Sequence, residues 1–331
     1  MSENTMDYQH LGRSGLLVSK IGLGCMNFGD ATGEPEAFGI MDRAVELGVN
    51  FFDTADVYGG PQKPDMEQGF GTSEEIVGKW LKKSGHRDDI VLATKAYQPM
   101  GLGPNDRRLS AYHLKRACEA SLRRLQTDHI DVYQMHHVDR STPWEEIWQA
   151  MEQLVAEGKI TYVGSSNHAG WDVATGQMTA TARNTLGLVS EQSLYNLTNR
   201  AVEQELIPAL EHFGIGLIPW SPLAMGVLAG RPEDGEKTER RALQSDVYDA
   251  VADQLDAYES LCAELGHSPA EVAQAWLLHQ PVVSTVIAGS RTTAQLEAAV
   301  DALHVSLDDS ALDELDRIWP GPGTAPMSYS W

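Results

Sequence analysis

Positive charge is scarce in this chain. Its 331 residues carry 25 Lys+Arg against 47 Asp+Glu, a formal net charge of -22. A nucleic acid or an anionic membrane surface demands cations, so the shortfall argues against both as partners. Cysteine is nearly absent. Cys25, Cys118 and Cys262 are odd in number and far apart, which gives no disulfide framework and no zinc-type cluster and fits a reducing compartment. No run reaches the roughly 18 apolar residues of a membrane helix. Residues 1–10 are polar and acidic, without the basic start and apolar stretch of a secretory signal. Asn196-Leu197-Thr198 matches a glycosylation sequon, read as chance in a chain without such a signal. The expectation is a soluble, cytoplasmic protein.

Hydrophobic residues make up 42% of the chain and fall into short runs. Eight of these, at 20–24, 50–53, 90–95, 130–135, 160–164, 188–191, 215–219 and 284–288, read as strands. Nearly continuous apolar strands indicate a parallel sheet covered on both faces. Helical patterns lie between them at 35–47, 72–81, 110–125, 143–157, 199–213 and 292–303, and the periodicity at 166–185 is diluted by Gly and Thr. Gly48 and Gly158 stand just past two helix ends. Eight strands with intervening helices predict an α/β fold, a (β/α)8 TIM barrel forming one domain over residues 1–331. A doubly wound open sheet is the alternative, but its usual signature is missing: Gly22-Leu23-Gly24 is followed by Asn27 where a third Gly belongs. No P-loop is present either.

Several pieces fall outside the alternation. Gly12-Arg13-Ser14-Gly15 between apolar flanks predicts an N-terminal hairpin. Residues 59–71 form a Pro/Gly-rich loop, and 231–241 a charged insertion expected to be mobile. Residues 246–280 read as two helices, the second starting near Ser268-Pro269, and 308–319 as a last helix before a Pro/Gly-rich tail.

In a barrel of this kind reactive groups stand at the C-terminal ends of strands. Those ends carry Asp53 and Tyr58, Lys95, His136-His137, Ser166-Asn167-His168 and Gln192. Each alone is an ordinary structural residue. Together they put a carboxylate, a phenol, an ammonium and an imidazole at one mouth. A Lys facing inward there needs a counter-charge, which Asp53 is placed to supply. Adjacent strand residues point to opposite faces, so His136 and His137 are not expected to chelate a metal together, and no metal site is predicted.

These residues sit in motifs that resemble the aldo-keto reductase superfamily. They are Phe52-Asp53-Thr54-Ala55 with Tyr58, Ala93-Thr94-Lys95, Asp131-Val132-Tyr133-Gln134-Met135-His136, Gly164-Ser165-Ser166-Asn167, Pro219-Trp220-Ser221-Pro222-Leu223, and Gly289-Ser290-Arg291 with Gln295. The likeness covers roughly residues 8 to 303 and is nearest in kind to bacterial members that resemble potassium-channel beta subunits. It implies a catalytic tetrad of Asp53, Tyr58, Lys95 and His136, and NADPH-dependent reduction of a small carbonyl compound. A carbonyl needs a hydride at carbon and a proton at oxygen. The expectation is that Lys95 lowers the phenol pKa of Tyr58 and makes it a general acid, Asp53 holds Lys95 charged, and His136 orients the substrate oxygen.

The resemblance also implies a cofactor surface. Gly24, Met26, Asp53, Ser166, Asn167 and Gln192 fall at the nicotinamide end, with Trp220 as a stacking face. Ser221, Leu223 and Gly226 fall at the pyrophosphate. Gly289, Arg291 and Gln295 fall near the 2'-phosphate, where Arg291 favours NADP over NAD. Ala298-Ala299 stand where the family commonly has a Glu-Asn pair contacting adenine, which leaves the choice between NADPH and NADH open. Phe28, Tyr58, Met100, His136 and Trp220, with Trp319 or Trp331, are expected at the substrate pocket, shaped by loops 28–32, 59–71, 97–108, 225–247 and the tail. Aldehydes and small ketones are the generic substrates. The second reading is a redox-sensing regulatory subunit of the channel-beta type. No feature of the sequence specifies an oligomeric state.

Overall fold

The computed structural model describes residues 6–63, 66–231 and 245–330. Two short strands come first, β1 (Tyr8–His10) and β2 (Leu17–Ser19), paired antiparallel as the expected hairpin. Eight parallel strands follow: β3 (Ile21–Gly24), β4 (Phe51–Asp53), β5 (Val91–Ala96), β6 (Ile130–Met135), β7 (Ile160–Ser166), β8 (Leu188–Leu194), β9 (Gly216–Trp220) and β10 (Val286–Ala288). Their spatial order runs β10-β3-β4-β5-β6-β7-β8-β9. Closure between β9 and the last strand is made one step earlier in the chain. Leu217 N–H donates to Val282 O and Ser284 N–H to Leu217 O, both at 2.8 Å. The run expected as one strand over 284–288 is therefore divided, its first part serving β9 and Val286–Ala288 serving β3. The result is a (β/α)8 barrel.

The outer helices are α1 (Glu34–Glu46), α2 (Thr72–Ser84), α3 (Ala111–Leu125), α4 (Trp144–Ala156), α5 (Gly170–Ala182), α6 (Leu206–Phe213), α7 (Ser245–Ala250), α8 (Ala252–Leu265), α9 (Pro269–Leu278), α10 (Thr293–Asp301), α11 (Asp309–Ile318) and the one-turn α12 (Met327–Ser330). Gly48 and Gly158 take positive φ just past α1 and α4, as stop signals do. Ser268 and Glu271 form a capping box around Pro269 at the start of α9. The helix expected over 199–213 is shorter, because Asn196 Oδ1 captures the N–H groups of Thr198 and Asn199 in a turn of its own. The weakly periodic 166–185 region does contain a helix, α5. Its Gly176 sits under the Trp144 ring, where an added Cβ would come within 2.7 Å of a ring carbon. Within the stretch expected as two helices, a short extra one, α7, precedes α8 and α9. Beyond Arg231, the charged insertion lies outside the described residues until Ser245.

Side-chain alternation builds the barrel interior in two layers. Phe51, Ala93 and Val132 fill the lower, apolar layer together with Val91, Val189, Ile218 and Ile287. Two residues further along the same strands stand Asp53, Lys95 and Gln134. The hairpin plugs the bottom, pressing Leu11 and Val18 into the apolar layer. Gly12, at φ 54°, makes that approach possible, since a Cβ there would lie 2.5 Å from Val189 O. A larger apolar core fills the space between barrel and helices.

Candidate active site

The structure brings Asp53, Tyr58, Lys95 and His136 together at the C-terminal mouth. Asp53 ends β4, and the loop after it is tied to β5 by Thr54 N–H to Ala93 O at 2.9 Å and Asp56 N–H to Lys95 O at 3.1 Å. Those bonds deliver Tyr58 over the barrel rim. His136, just past β6, is fixed by its N–H to Ala96 O at 3.1 Å.

Lys95 is completely buried, and each of its three ammonium hydrogens has an acceptor. Nζ donates to Asp53 Oδ2 at 2.6 Å, Thr54 O at 2.9 Å and Tyr58 Oη at 3.4 Å. Burial works against the charge, but Asp53 and Tyr58 outweigh it and hold the Lys95 pKa above its ordinary value. The other oxygen of Asp53 accepts from Gln134 Nε2 and Gln192 Nε2, each at 2.9 Å. Both carboxylate oxygens are thus engaged.

Tyr58 differs from expectation in one respect. Burial pushes its phenol pKa up, and the lowering by Lys95 does not overcome this. The phenol at rest is therefore firmly protonated. Oη also lies 3.4 Å from His136 Nε2. Burial, with Lys95 nearby, drives the His136 pKa well down, so its imidazole is neutral. The expectation that His136 and His137 point to opposite faces fails. Both lie past the end of β6, where alternation no longer applies, and their rings stack at 5.1 Å with 14° between planes. Among the described residues no group of three or more side chains suited to a metal comes together.

The residues expected at the nicotinamide end converge beside this cluster. Ser166 Oγ donates to Gln192 O at 2.8 Å. Asn167, at φ 59°, donates from Nδ2 to His136 O at 3.0 Å and accepts at Oδ1 from Trp220 Nε1 at 3.2 Å. Gln192 reaches the tetrad itself, through Asp53. Gly24 pairs with Asp53 across β3 and β4, and Met26 is exposed beyond it. Past Trp220 the chain takes positive φ at Ser221, Ala224, Met225 and Gly226. Asn196 Nδ2 holds Ser221 O at 2.9 Å, so the asparagine of the sequon is buried structural scaffolding. Leu223 packs on the outer core, and Gly226 has open space at its Cβ position. Gly289 accepts from Asn27 Nδ2 at 2.9 Å. Gln295 Oε1 accepts from Arg291 N–H at 2.9 Å and Thr292 Oγ1 from Gln295 N–H at 3.2 Å, which order the start of α10. Of the two alanines after Glu297, Ala298 is exposed and Ala299 faces the core.

Not every expected substrate residue reaches the mouth. Met100 packs with Met66 against Ala55, Val57 and Tyr58. Phe28 and Trp319 instead lie wholly inside the outer core, where their rings are spent on packing, and Trp331 lies outside the described residues. Sequence reasoning passed over Gln134 as a site residue. Its place two residues after the inward-facing Val132 on an alternating strand was the available signal, since it had to face into the barrel as Lys95 does.

Known proteins resemble this chain over nearly its whole length. The model of the Aldo/keto reductase family matches residues 20–320. An uncharacterized oxidoreductase of Bacillus subtilis, YrpG, is 46% identical over 332 residues, covering 98% of this chain and all of its own length. A probable voltage-gated potassium channel subunit beta of Arabidopsis thaliana is 35% identical, covering 98% of this chain and all of its own length. Versiconal hemiacetal acetate reductase of Aspergillus parasiticus is also 35% identical, over 94% of this chain and 96% of its own. With the barrel, the mouth and this family match in hand, the chain belongs to the aldo/keto reductase family and is an oxidoreductase.

Proposed function

We propose that the protein reduces aldehydes or ketones to alcohols with NADPH, and that Tyr58 is the proton donor. The observation that carries this is the buried chain of contacts from Asp53 through Lys95 to Tyr58, open on its far side to His136. When bound, a reduced nicotinamide supplies the hydride to the carbonyl carbon.

The chain's own groups do the rest. His136 is neutral, and its Nδ1 has no hydrogen-bond partner among the described residues. We assign the ring proton to Nε2, where it orients the carbonyl oxygen; this leaves Nδ1 a bare lone pair, the cheaper group to strand. Tyr58 keeps its proton at rest and gives it up only as negative charge builds on the substrate oxygen. The tyrosinate left behind lies against the Lys95 ammonium in a dry setting, where that attraction is strong. Gln134 and Gln192 lock the carboxylate that keeps Lys95 in place.

The residues past Trp220 suit a dinucleotide. The left-handed loop leaves backbone accessible at Gly226, and Gly289 has only Asn27 near its Cβ position, at 3.6 Å. Ser166, Asn167 and Gln192 would hold the carboxamide and Trp220 would stack on the ring. Arg291 has no ion-pair partner among the described residues and stands before the N-terminus of α10, a setting that favours an extra phosphate and hence NADPH. Met66 and Met100 give the phenol an apolar flank for a small carbonyl substrate.

The test is consumption of NADPH against a panel of aldehydes, ketones and keto-sugars, repeated with Tyr58→Phe. Turnover by the wild type that nearly vanishes in the variant is expected. Equal rates in both would overturn the assignment. The plant relative is named a probable channel subunit beta, and on that likeness the second reading is of this chain as a regulatory subunit that binds NADP. That reading predicts tight binding of NADPH with slow turnover of every carbonyl, indifferent to Tyr58→Phe.

A further inference from the structure

We propose that Glu191 is a positioning residue for the Asn167 amide, holding it from behind so that it can grip the nicotinamide end of the cofactor; this rests on the dinucleotide reading of the mouth. Asn167 joins the ends of three strands. It binds His136 O past β6 and Ser166 Oγ on β7, and it receives the Trp220 indole from β9. It does so with a left-handed backbone, a conformation a non-glycine residue keeps only when its surroundings enforce it.

Asn167 N–H donates to Gln192 O at 3.0 Å, and the residue that follows it is held by Glu191. Glu191 is fully buried, and its Oε1 accepts from His168 N–H at 3.0 Å and Ser193 Oγ at 2.7 Å. His168, equally buried, donates from Nδ1 to Ser166 O at 2.8 Å. The turn is thus tied down on both sides of Asn167. Neighbours on β8 divide the work: Gln192 turns to Asp53 and the tetrad, while Glu191 turns the other way, beneath the turn.

A buried ionised carboxylate is commonly paired with a cation. Among the described residues Glu191 has no such ion pair. His168 Nδ1 is 3.9 Å from Oε2, but its hydrogen goes to Ser166 O, and burial holds its pKa down at about 4. Ser165 faces Glu191 from β7. Behind His168, Arg140 is committed to Asp172 on α5, and His137 is neutralised by burial. Glu191 Oε2 has no hydrogen-bond partner among the described residues, and burial pushes the carboxyl up to about 7. What Glu191 does contribute is an acceptor for the turn.

NADPH binding to the full-length protein, read by quenching of intrinsic tryptophan fluorescence, tests this alongside steady-state kinetics. Glu191→Ala should raise both Kd and KM for NADPH by about tenfold, as expected for a buried donor left without its acceptor, with kcat changing far less. Glu191→Gln keeps the acceptor oxygen and should bind within about threefold of wild type. An alanine variant that binds NADPH as the wild type does overturns the proposal. So does loss of the native circular dichroism in both variants, which would make the role one of folding alone. Wild-type protein that binds no NADPH overturns the dinucleotide reading instead, before either variant is read.

Discussion

The two ends of the barrel are made from the same strands and treat water in opposite ways. At the bottom, Phe51, Ala93 and Val132 meet the hairpin's Leu11 and Val18 in an apolar layer with no charged member. At the top, two residues on, Asp53, Lys95 and Gln134 bury charge and amide groups bonded to one another. The bottom is held by shape and the top by pairing. Damage should therefore differ in kind: the bottom should lose stability and keep chemistry, while the top should do the reverse or lose both.

Tyr58→Phe should separate the two ends most sharply. It removes one oxygen from the top and should lower kcat by roughly two to four orders of magnitude. The denaturation midpoint should hardly move. Next is the buried pair. Lys95→Met alone leaves the Asp53 carboxylate without its cation and should destabilise by about 3–5 kcal/mol in urea titration. Adding Asp53→Asn should recover much of that loss without restoring activity. If the double variant is no more stable than the single, pairing is not what holds the top.

At the bottom, Gly12→Ala forces a Cβ against Val189 O at 2.5 Å and should cost about 1–3 kcal/mol, with kcat unchanged. A large fall in turnover at unchanged stability would erase the distinction between the ends.

The smallest effect concerns pH. Burial raises Glu191 from 4.5 to about 7 and lowers His168 from 6.5 to about 4. On acidification through that window the folded state takes up a proton at Glu191 that the unfolded state does not, which favours folding. At His168 the unfolded state takes up the proton, which opposes folding. The two slopes largely cancel. Glu191→Gln leaves only the second, so its stability relative to wild type should fall as pH drops from about 7 to about 4.5, by a few degrees in Tm. A difference independent of pH would show that the carboxyl is ionised in the fold throughout.

Much of this was legible in advance, because strand positions and inward-facing residues obey a period of two. Asp53, Lys95 and His136 follow from strand ends alone. What escaped was set by tertiary partners. Arg200 is drawn to Glu203, Asp316 and the Trp276 ring, and this fixes the chain where a longer helix was expected before α6. Phe28 looks like a pocket residue by its place after β3 but is swallowed by the outer core. The stacking of His136 on His137 depends on where β6 stops, and a strand's last residue is the hardest to read from sequence.

The fully committed ammonium at position 95 has one further consequence. Its hydrogens go to a carboxylate already gripped by two amides, to a peptide oxygen and to the phenol, and neither of the first two has a hydrogen to hand back. On the proposed chemistry, then, the proton that replaces the one spent in each turnover has to enter from above, on the His136 side. The floor of the mouth fixes how readily the proton leaves, while the rim decides how fast the next one comes.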